Sequence, residues 1–404
     1  MTQALPYHRS VCLHFKQQEK TWNFFAGATA KTEQLQQFKT GLLKNTYKFN
    51  PATDQHIYEK VEKARKALRL DHLAVWVYQA QFTEETNATI AYLDGEAHIV
   101  FSGQVTQLLN EEELLAVIAH ELSHVLLYTL QGGELEIADR IITAIANNYS
   151  SEPAYVETAR LFRLYTEIFC DRGALAVVGA PDPVITSLVK LSTGLDQVSA
   201  DSYRKQAEEI FSADAHLKAA TVTHPENFIR ARAVQLWQDQ GEASLPLITK
   251  IIEGTADLDQ LDIFRQEELT ALTRQVLQLF LKPRWFRTVR VLGTARQFFP
   301  DFALKDEAVL TNDLAGRVGE GHASVREYLA YLLLDFVLAD PSLETVPFGW
   351  AFQFAEDLQL KEAFETVVQK EFKFSDKKLQ QHKQKSLAAY YEVKESTAEQ
   401  VYQD

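Results

Sequence analysis

The chain has 404 residues, 46% hydrophobic and 24% charged, the composition of a folded globular protein with room for two or three cores. Asp and Glu outnumber Lys and Arg by 55 to 41, and the formal charge of −14 repels phosphate backbones, so nucleic acid is not expected as a partner. Two cysteines, Cys12 and Cys170, build no disulfide framework, which points to a reducing compartment.

Residues 1–57 show no apolar signal core and read as an N-terminal extension. The longest apolar run, Tyr328 to Ala339, is broken by Asp335 and falls short of the roughly 20 residues a membrane span needs, so a cytoplasmic protein without a span is expected. Glu59 to Leu70 has helical spacing. Leu73 to Tyr78, Thr89 to Leu93 and His98 to Ser102 read as strands, the last two joined by a turn at Asp94-Gly95. Asn110 opens a helix with Glu113 in capping-box position, and Gly132-Gly133 stops it. Further helices are read over Leu135–Asn148, Glu152–Val178, Pro183–Leu191 and Pro225–Gln238. The polar stretch Asp239 to Ser244 marks a boundary, giving one domain over 58–240, a linker over 241–262 and an all-α domain over 263–374. That last domain holds helices at Gln266–Leu281, Arg284–Phe298, Ser324–Ala339 and Phe348–Phe372, and a charged tail, 375–404, reads as a solvated or partly disordered helix. The fold class expected is therefore α+β and mainly helical, with a small β-sheet in the first domain.

Chemistry concentrates on the helix opened by Asn110. His120-Glu121-Leu122-Ser123-His124 is an HExxH pattern: histidines four apart share a helical face and reach one ion, and Glu121 stands beside them to take a proton from water. The flanks Ala116 to Ala119 and Val125 to Leu127 are apolar, and polar groups in such surroundings require partners or a metal. A catalytic zinc needs a third protein ligand. The metzincin solution fails, because Leu127 and Leu130 occupy its Gly and His positions. On the later helix Glu167 and Asp171 lie four apart, so Glu167 can ligate while Asp171 orients a ligand histidine, the gluzincin arrangement. Without HExxH the same acidic pair would read as a surface partner of Arg163 or Arg172.

Asn87-Ala88, then EEELLAVIAHELSH from Glu111 to His124, Glu167 with Asp171 and Ala174, and Thr223-His224-Pro225 with Arg230 together resemble the HtpX and CAAX prenyl endopeptidase family of zinc metallopeptidases, over roughly Tyr58 to Trp237. The resemblance implies a zinc-dependent endopeptidase in which His120, His124 and Glu167 hold Zn2+, Glu121 is the general base and Asp171 an orienting group. It also implies that His224 and Arg230 lie near the site as oxyanion stabilisers. Arg232 competes with Arg230 for that position, and His224-Pro225 also fits a plain helix start. By the same resemblance the strand His98 to Ser102 lies near the edge that pairs with an extended substrate, with His98 itself on the surface. Two departures stand out: Ile90 replaces a small residue, and the family's transmembrane helices are missing, which sets prenylated substrates aside in favour of protein or peptide ones.

Other signals carry less. Cys170 reads as a small buried hydrophobe, and Lys282 to Arg296 as a solvated basic face. The remaining histidines, His216 among them, show no ligand spacing. Arg326 to Phe372 faintly resembles TerB-like helical domains and is the place for a partner protein. The competing reading makes the protein a helical interaction or regulatory module with a structural or catalytically silent zinc site.

Overall fold

The computed structural model describes residues 3–27, 32–93, 95–214, 217–305 and 308–397, with the side chains of 32–34 and 395–397 excepted; Asp94 and His216 lie outside the described residues. The chain forms two compact units, Met1–Gly254 and Thr255–Asp404.

The first unit runs α1 (Pro6–Lys16), α2 (Glu19–Ala26), α3 (Thr32–Asn45), β1 (Thr46–Lys48), α4 (Gln55–Ala67), β2 (Ala74–Ala80), β3 (Asn87–Leu93), β4 (Glu96–Ser102), α5 (Val105–Leu108) and α6 (Glu111–Thr129). It continues through α7 (Glu134–Ala146), α8 (Pro153–Val178), α9 (Pro181–Thr193), α10 (Ala200–Ala213), α11 (Asn227–Gln240) and α12 (Leu245–Glu253). The α+β, mainly helical class expected from the sequence is the class observed. Strand order is β1-β2-β4-β3, with β2 and β4 parallel and both outer pairs antiparallel. The strand at His98 to Ser102 is therefore interior, and β3 is the edge. His98 is buried rather than superficial: it is 2% exposed, because Phe38 of α3 packs edge-on to its ring at 5.7 Å and Tyr78 lies beside it.

Helix α6 is buried almost all round, as its apolar sequence requires. Asn110 accepts the backbone N–H groups of Glu112 and Glu113, and the Glu113 carboxylate accepts that of Asn110, so the expected capping box is formed. Glu111–Ala146 contains an 18-residue window apolar enough for a membrane span, but 72% of it is buried inside the protein, which marks a core helix. Helix α8 crosses α6 at Gly173, where an added Cβ would stand 2.0 Å from Ser123 Oγ and 2.8 Å from Ser123 Cβ. Only glycine allows that approach, and it is what brings Glu167 and Asp171 to the two histidines of α6.

Residues 1–57, read as an extension, supply core to this unit. Proline at the first turn starts α1, Val11 and Phe15 are fully buried, Tyr7 stacks on Tyr165 at 4.9 Å, and His8 Nε2 lies 3.2 Å from Thr166 Oγ1. The span read as a linker contains α12, with Ile248 and Ile252 buried.

The second unit is all helical: α13 (Ile263–Phe280), α14 (Val289–Phe298), α15 (Asn312–Gly319), α16 (Ala323–Leu338), α17 (Val346–Asp357), α18 (Lys361–Phe372) and α19 (Asp376–Thr397). Its core surrounds Trp350, whose indole N–H donates to the Phe280 carbonyl at 2.9 Å. Two expected helices are divided. Arg284 to Phe298 becomes a short 3-10 turn and then α14, with Arg287 donating to the Lys282 carbonyl, so part of the basic face works as backbone capping. Phe348 to Phe372 breaks at Gln359, which takes a left-handed φ of 58°. The tail is neither disordered nor merely solvated over Asp376–Thr397. Leu379 and Tyr390 of α19 are buried, and Gly349 lets α17 come so close to Ser386 that a Cβ would meet its carbonyl oxygen at 2.1 Å.

Candidate active site

Helices α6, α8 and α11, with β3 and the loop before α11, surround a cleft of about 290 Å³. His120, Glu121 and His124 enter it from α6, Glu167 and Asp171 from α8, Arg230 from α11 and His224 from the loop. All seven site residues expected from the sequence thus meet in one place.

His120 Nε2 lies 3.4 Å from Glu167 Oε2, and His124 Nε2 lies 3.7 Å from Glu167 Oε1. These separations are long for hydrogen bonds but close to the edge of a tetrahedron around one zinc ion, about 3.3 to 3.5 Å for ligand bonds of about 2.0 to 2.1 Å. Glu167 Oε2 is buried and makes only long polar contacts, with His120 Nε2 at 3.4 Å and Arg230 Nη2 at 3.5 Å. The donor set therefore fits zinc. Cys170 Sγ also lies within 4.8 Å of both imidazoles, yet burial pushes its thiol well up, and a neutral thiol is a poor competitor for Glu167.

Behind these groups Asp171 accepts from His120 Nδ1 at 3.0 Å, which fixes the ring with Nε2 turned toward Glu167. Arg230 grips Asp171 through Nε at 2.7 Å and Nη2 at 2.6 Å, and Nη2 stands 3.5 Å from Glu167. Burial alone would raise the two carboxyls. Against it, the His120 hydrogen bond and the Arg230 charge hold Glu167 well below the usual range, and the Arg230 charge and hydrogen bonds do the same for Asp171. Burial also opposes charge on His120, but hydrogen bonds to Asp171 and Glu167 win and lift it to about 10. His124, lacking an equivalent partner, is pushed down to about 4 by burial. Burial pushes the Glu121 carboxyl up to about 8.

Two expectations change. Arg230 is 7% exposed and gives Nε and Nη2 to Asp171, so its first role is to hold the orienting carboxylate in place. Arg232 faces away, to Glu208 at 3.7 Å. His224 is 60% exposed at the cleft mouth, with Nε2 3.7 Å from Glu167 Oε1. The edge beside the cleft is β3: Asn87, Ala88, Thr89, Ile90 and Tyr92 line it, so Ile90 forms part of the wall. Ala116 and Val117 of α6 and Val184, Ser187, Leu188 and Leu191 of α9 complete the lining. A buried ion pair, Lys190 to Glu113 at 2.9 Å, ties α9 to the start of α6.

Arg160 escaped notice in the sequence. Its Nη1 donates to the carbonyls of Ala219 and Thr221, at 3.2 and 3.0 Å, and fixes the loop that presents His224, while Glu157 holds it with two 2.7 Å hydrogen bonds. An i,i+3 pair of opposite charge looks like any helix-surface pair, and nothing in the sequence near Arg160 names the distant carbonyls.

HExxH on one helix with the glutamate and aspartate on a second defines a gluzincin-type site. Residues 51–129 match the family model described as Peptidase family M48. The plastoglobule-localized metallopeptidase 48, chloroplastic, of Arabidopsis thaliana is 30% identical over 166 residues, covering 37% of this chain and 47% of the relative. The chain thus spans about half the length of the curated relative it matches. No solved structure matches it. The resemblance to the HtpX and CAAX prenyl endopeptidase group is borne out by the family match and by a relative named as a metallopeptidase.

Proposed function

We propose that the chain is a zinc-dependent metalloendopeptidase acting on protein or peptide substrates. The observation that carries the reading is the convergence of His120 Nε2, His124 Nε2 and the Glu167 carboxylate at 3.4 and 3.7 Å, beside Glu121 in an open cleft. Those three residues would hold the ion. Bound zinc supplies Lewis-acid chemistry, making water acidic near neutral pH and polarising a carbonyl. Glu121, 7% exposed, accepts the proton of the attacking water and returns it to the leaving amine. A positive charge brought beside it lowers its carboxyl from about 8 toward the range of a working base. Asp171, clamped by Arg230, keeps the His120 proton on Nδ1. His224 stands where an N–H can meet the developing oxyanion. The open backbone of β3 offers hydrogen bonds to an extended chain of any sequence, which suits an endopeptidase.

The experiment is Glu121→Gln. The variant is expected to bind zinc as the parent does and to lose cleavage of an unfolded protein substrate by a factor of about 100 or more; cleavage at the parental rate would reject the mechanism.

A further inference from the structure

Asp171 faces the cleft, but the next residue of α8 lines a separate cavity of about 330 Å³ together with Gln3, Leu68, Arg69, Leu126 and Trp237. Arg172 is 7% exposed and forms no ion pair among the described residues. Its Nη2 donates to the Gln3 carbonyl, and its Nε is buried without an acceptor. The guanidinium lies over Trp237, 4.5 Å from the ring centre, with Phe169 at 5.3 Å, so aromatic rings cover it, and with Nη2 given to Gln3 and Nε buried it is Nη1, without an acceptor among the described residues, that remains for a ligand. A buried guanidinium is costly unless a carboxylate or phosphate neutralises it. Glu242 on the cavity wall is exposed and reaches Arg172 only through its field. Burial accordingly pulls Arg172 down to about 10. Arg69, on the same wall, is exposed and sits at a left-handed φ of 60°, a conformation that suits glycine better than an arginine.

We propose that this cavity binds a small organic monocarboxylate, its oxygens shared by Arg172 and Arg69 and its hydrocarbon part laid against Leu68, Leu126 and Trp237. Guanidinium donors beside apolar walls favour a carboxylate carrying a compact apolar group over inorganic phosphate. The site is distinct from the cleft and requires no activity of the cleft.

The test is thermal unfolding of the full chain in benzoate, acetate and inorganic phosphate, each at constant ionic strength against sodium chloride. Benzoate is expected to raise the melting temperature saturably and at lower concentration than acetate. Arg69→Gln, an exposed position that leaves the fold intact, is expected to raise the half-saturating benzoate concentration about tenfold, the equivalent of about 1.4 kcal/mol. Arg172→Lys should do the same; should it fail to fold, Arg69→Gln decides alone. No stabilisation beyond chloride, or an unchanged half-saturation in Arg69→Gln, overturns the site. Stabilisation by phosphate but not by benzoate overturns the carboxylate assignment.

Discussion

Gly173→Ala tests whether the approach of α8 to α6 builds the metal site. The new methyl would stand 2.0 Å from Ser123 Oγ and 2.8 Å from Ser123 Cβ. Rotating Ser123 relieves the first contact at the cost of its 2.7 Å hydrogen bond to the Ala119 carbonyl. The second remains, because Cβ does not move with χ1, and it falls well short of ordinary carbon contact. The helices must therefore separate by some tenths of an ångström. Overpacking of this kind costs about 1 to 3 kcal/mol, or about 2 to 12 °C in melting temperature for a unit of this size. Ser123 lies between His120 and His124, and Gly173 is six residues after Glu167, so separation stretches the ligand set itself. Ligand distances tolerate only about 0.2 Å, and zinc affinity is expected to fall at least about tenfold. Competition titration with a chromogenic chelator measures that loss, and calorimetry the stability. The compensating pair Gly173→Ala with Ser123→Gly removes both contacts and should recover the affinity, less about 1 kcal/mol of stability for a glycine inside a helix. A single variant that binds zinc and melts like the parent would refute the reasoning.

Arg230→Gln leaves Asp171 buried without its cationic partner, and a destabilisation of about 3 to 5 kcal/mol is expected by urea unfolding. Zinc affinity should fall about 10- to 100-fold with it, while Arg232→Gln, which loses an ion pair to exposed Glu208, should stay within about 0.5 kcal/mol of the parent. Removing metal with a chelator should lower the melting temperature and added zinc restore it, by as much as about 4 kcal/mol where zinc exceeds its dissociation constant a thousandfold. His8 is fully buried and pushed down to about 3 by burial, against about 6.5 in an unfolded chain. Between those values the unfolded chain holds the extra proton, so stability is complete above pH 6.5 and is lost as pH falls toward 3, by about 5 kcal/mol at most. His8→Phe should flatten the pH dependence of the urea midpoint between pH 4 and 6.5, and an unchanged slope would exclude His8 as its source.

What could be read from the sequence was local. The capping box at Asn110, the histidines four apart and the acidic pair four apart are all fixed by helical period, and each appears where the spacing put it. What escaped depended on distant partners. The choice of Asp171 by Arg230 spans 59 residues, and Arg160 meets carbonyls about as far away. His98 is buried only because α3 returns over the sheet, and β1 is three residues long, too short for any alternation to show. The break at Gln359 rests on a left-handed residue that is not glycine, and the Lys-, Gln- and Glu-rich face of α19 hides the Leu379 to Tyr390 side that packs on α17.

Charge gives an independent argument for the ion. Glu121, Glu167 and Asp171 meet in one cleft at 7%, 6% and 2% exposure, and Arg230 is the one permanent cation among the residues lining it. In the state catalysis needs, with neutral ligand histidines and Glu121 ionised, the group carries three negative charges and one positive. Burying a net charge of that size without compensation costs several kcal/mol for each ion, and without an ion two protons supply the compensation, with His120 lifted to about 10 and Glu121 to about 8. Arg230 cannot supply more, since Asp171 already takes two of its donors, and the wall from α9 offers only Val184, Ser187, Leu188 and Leu191. A divalent cation between His120, His124 and Glu167 would take the place of those two protons, freeing His120 Nε2 to ligate and Glu121 to act as a base, while leaving Asp171 to Arg230. Two histidine nitrogens and one carboxylate, in surroundings otherwise poor in ligands, suit zinc better than a hard cation that demands six or more oxygens.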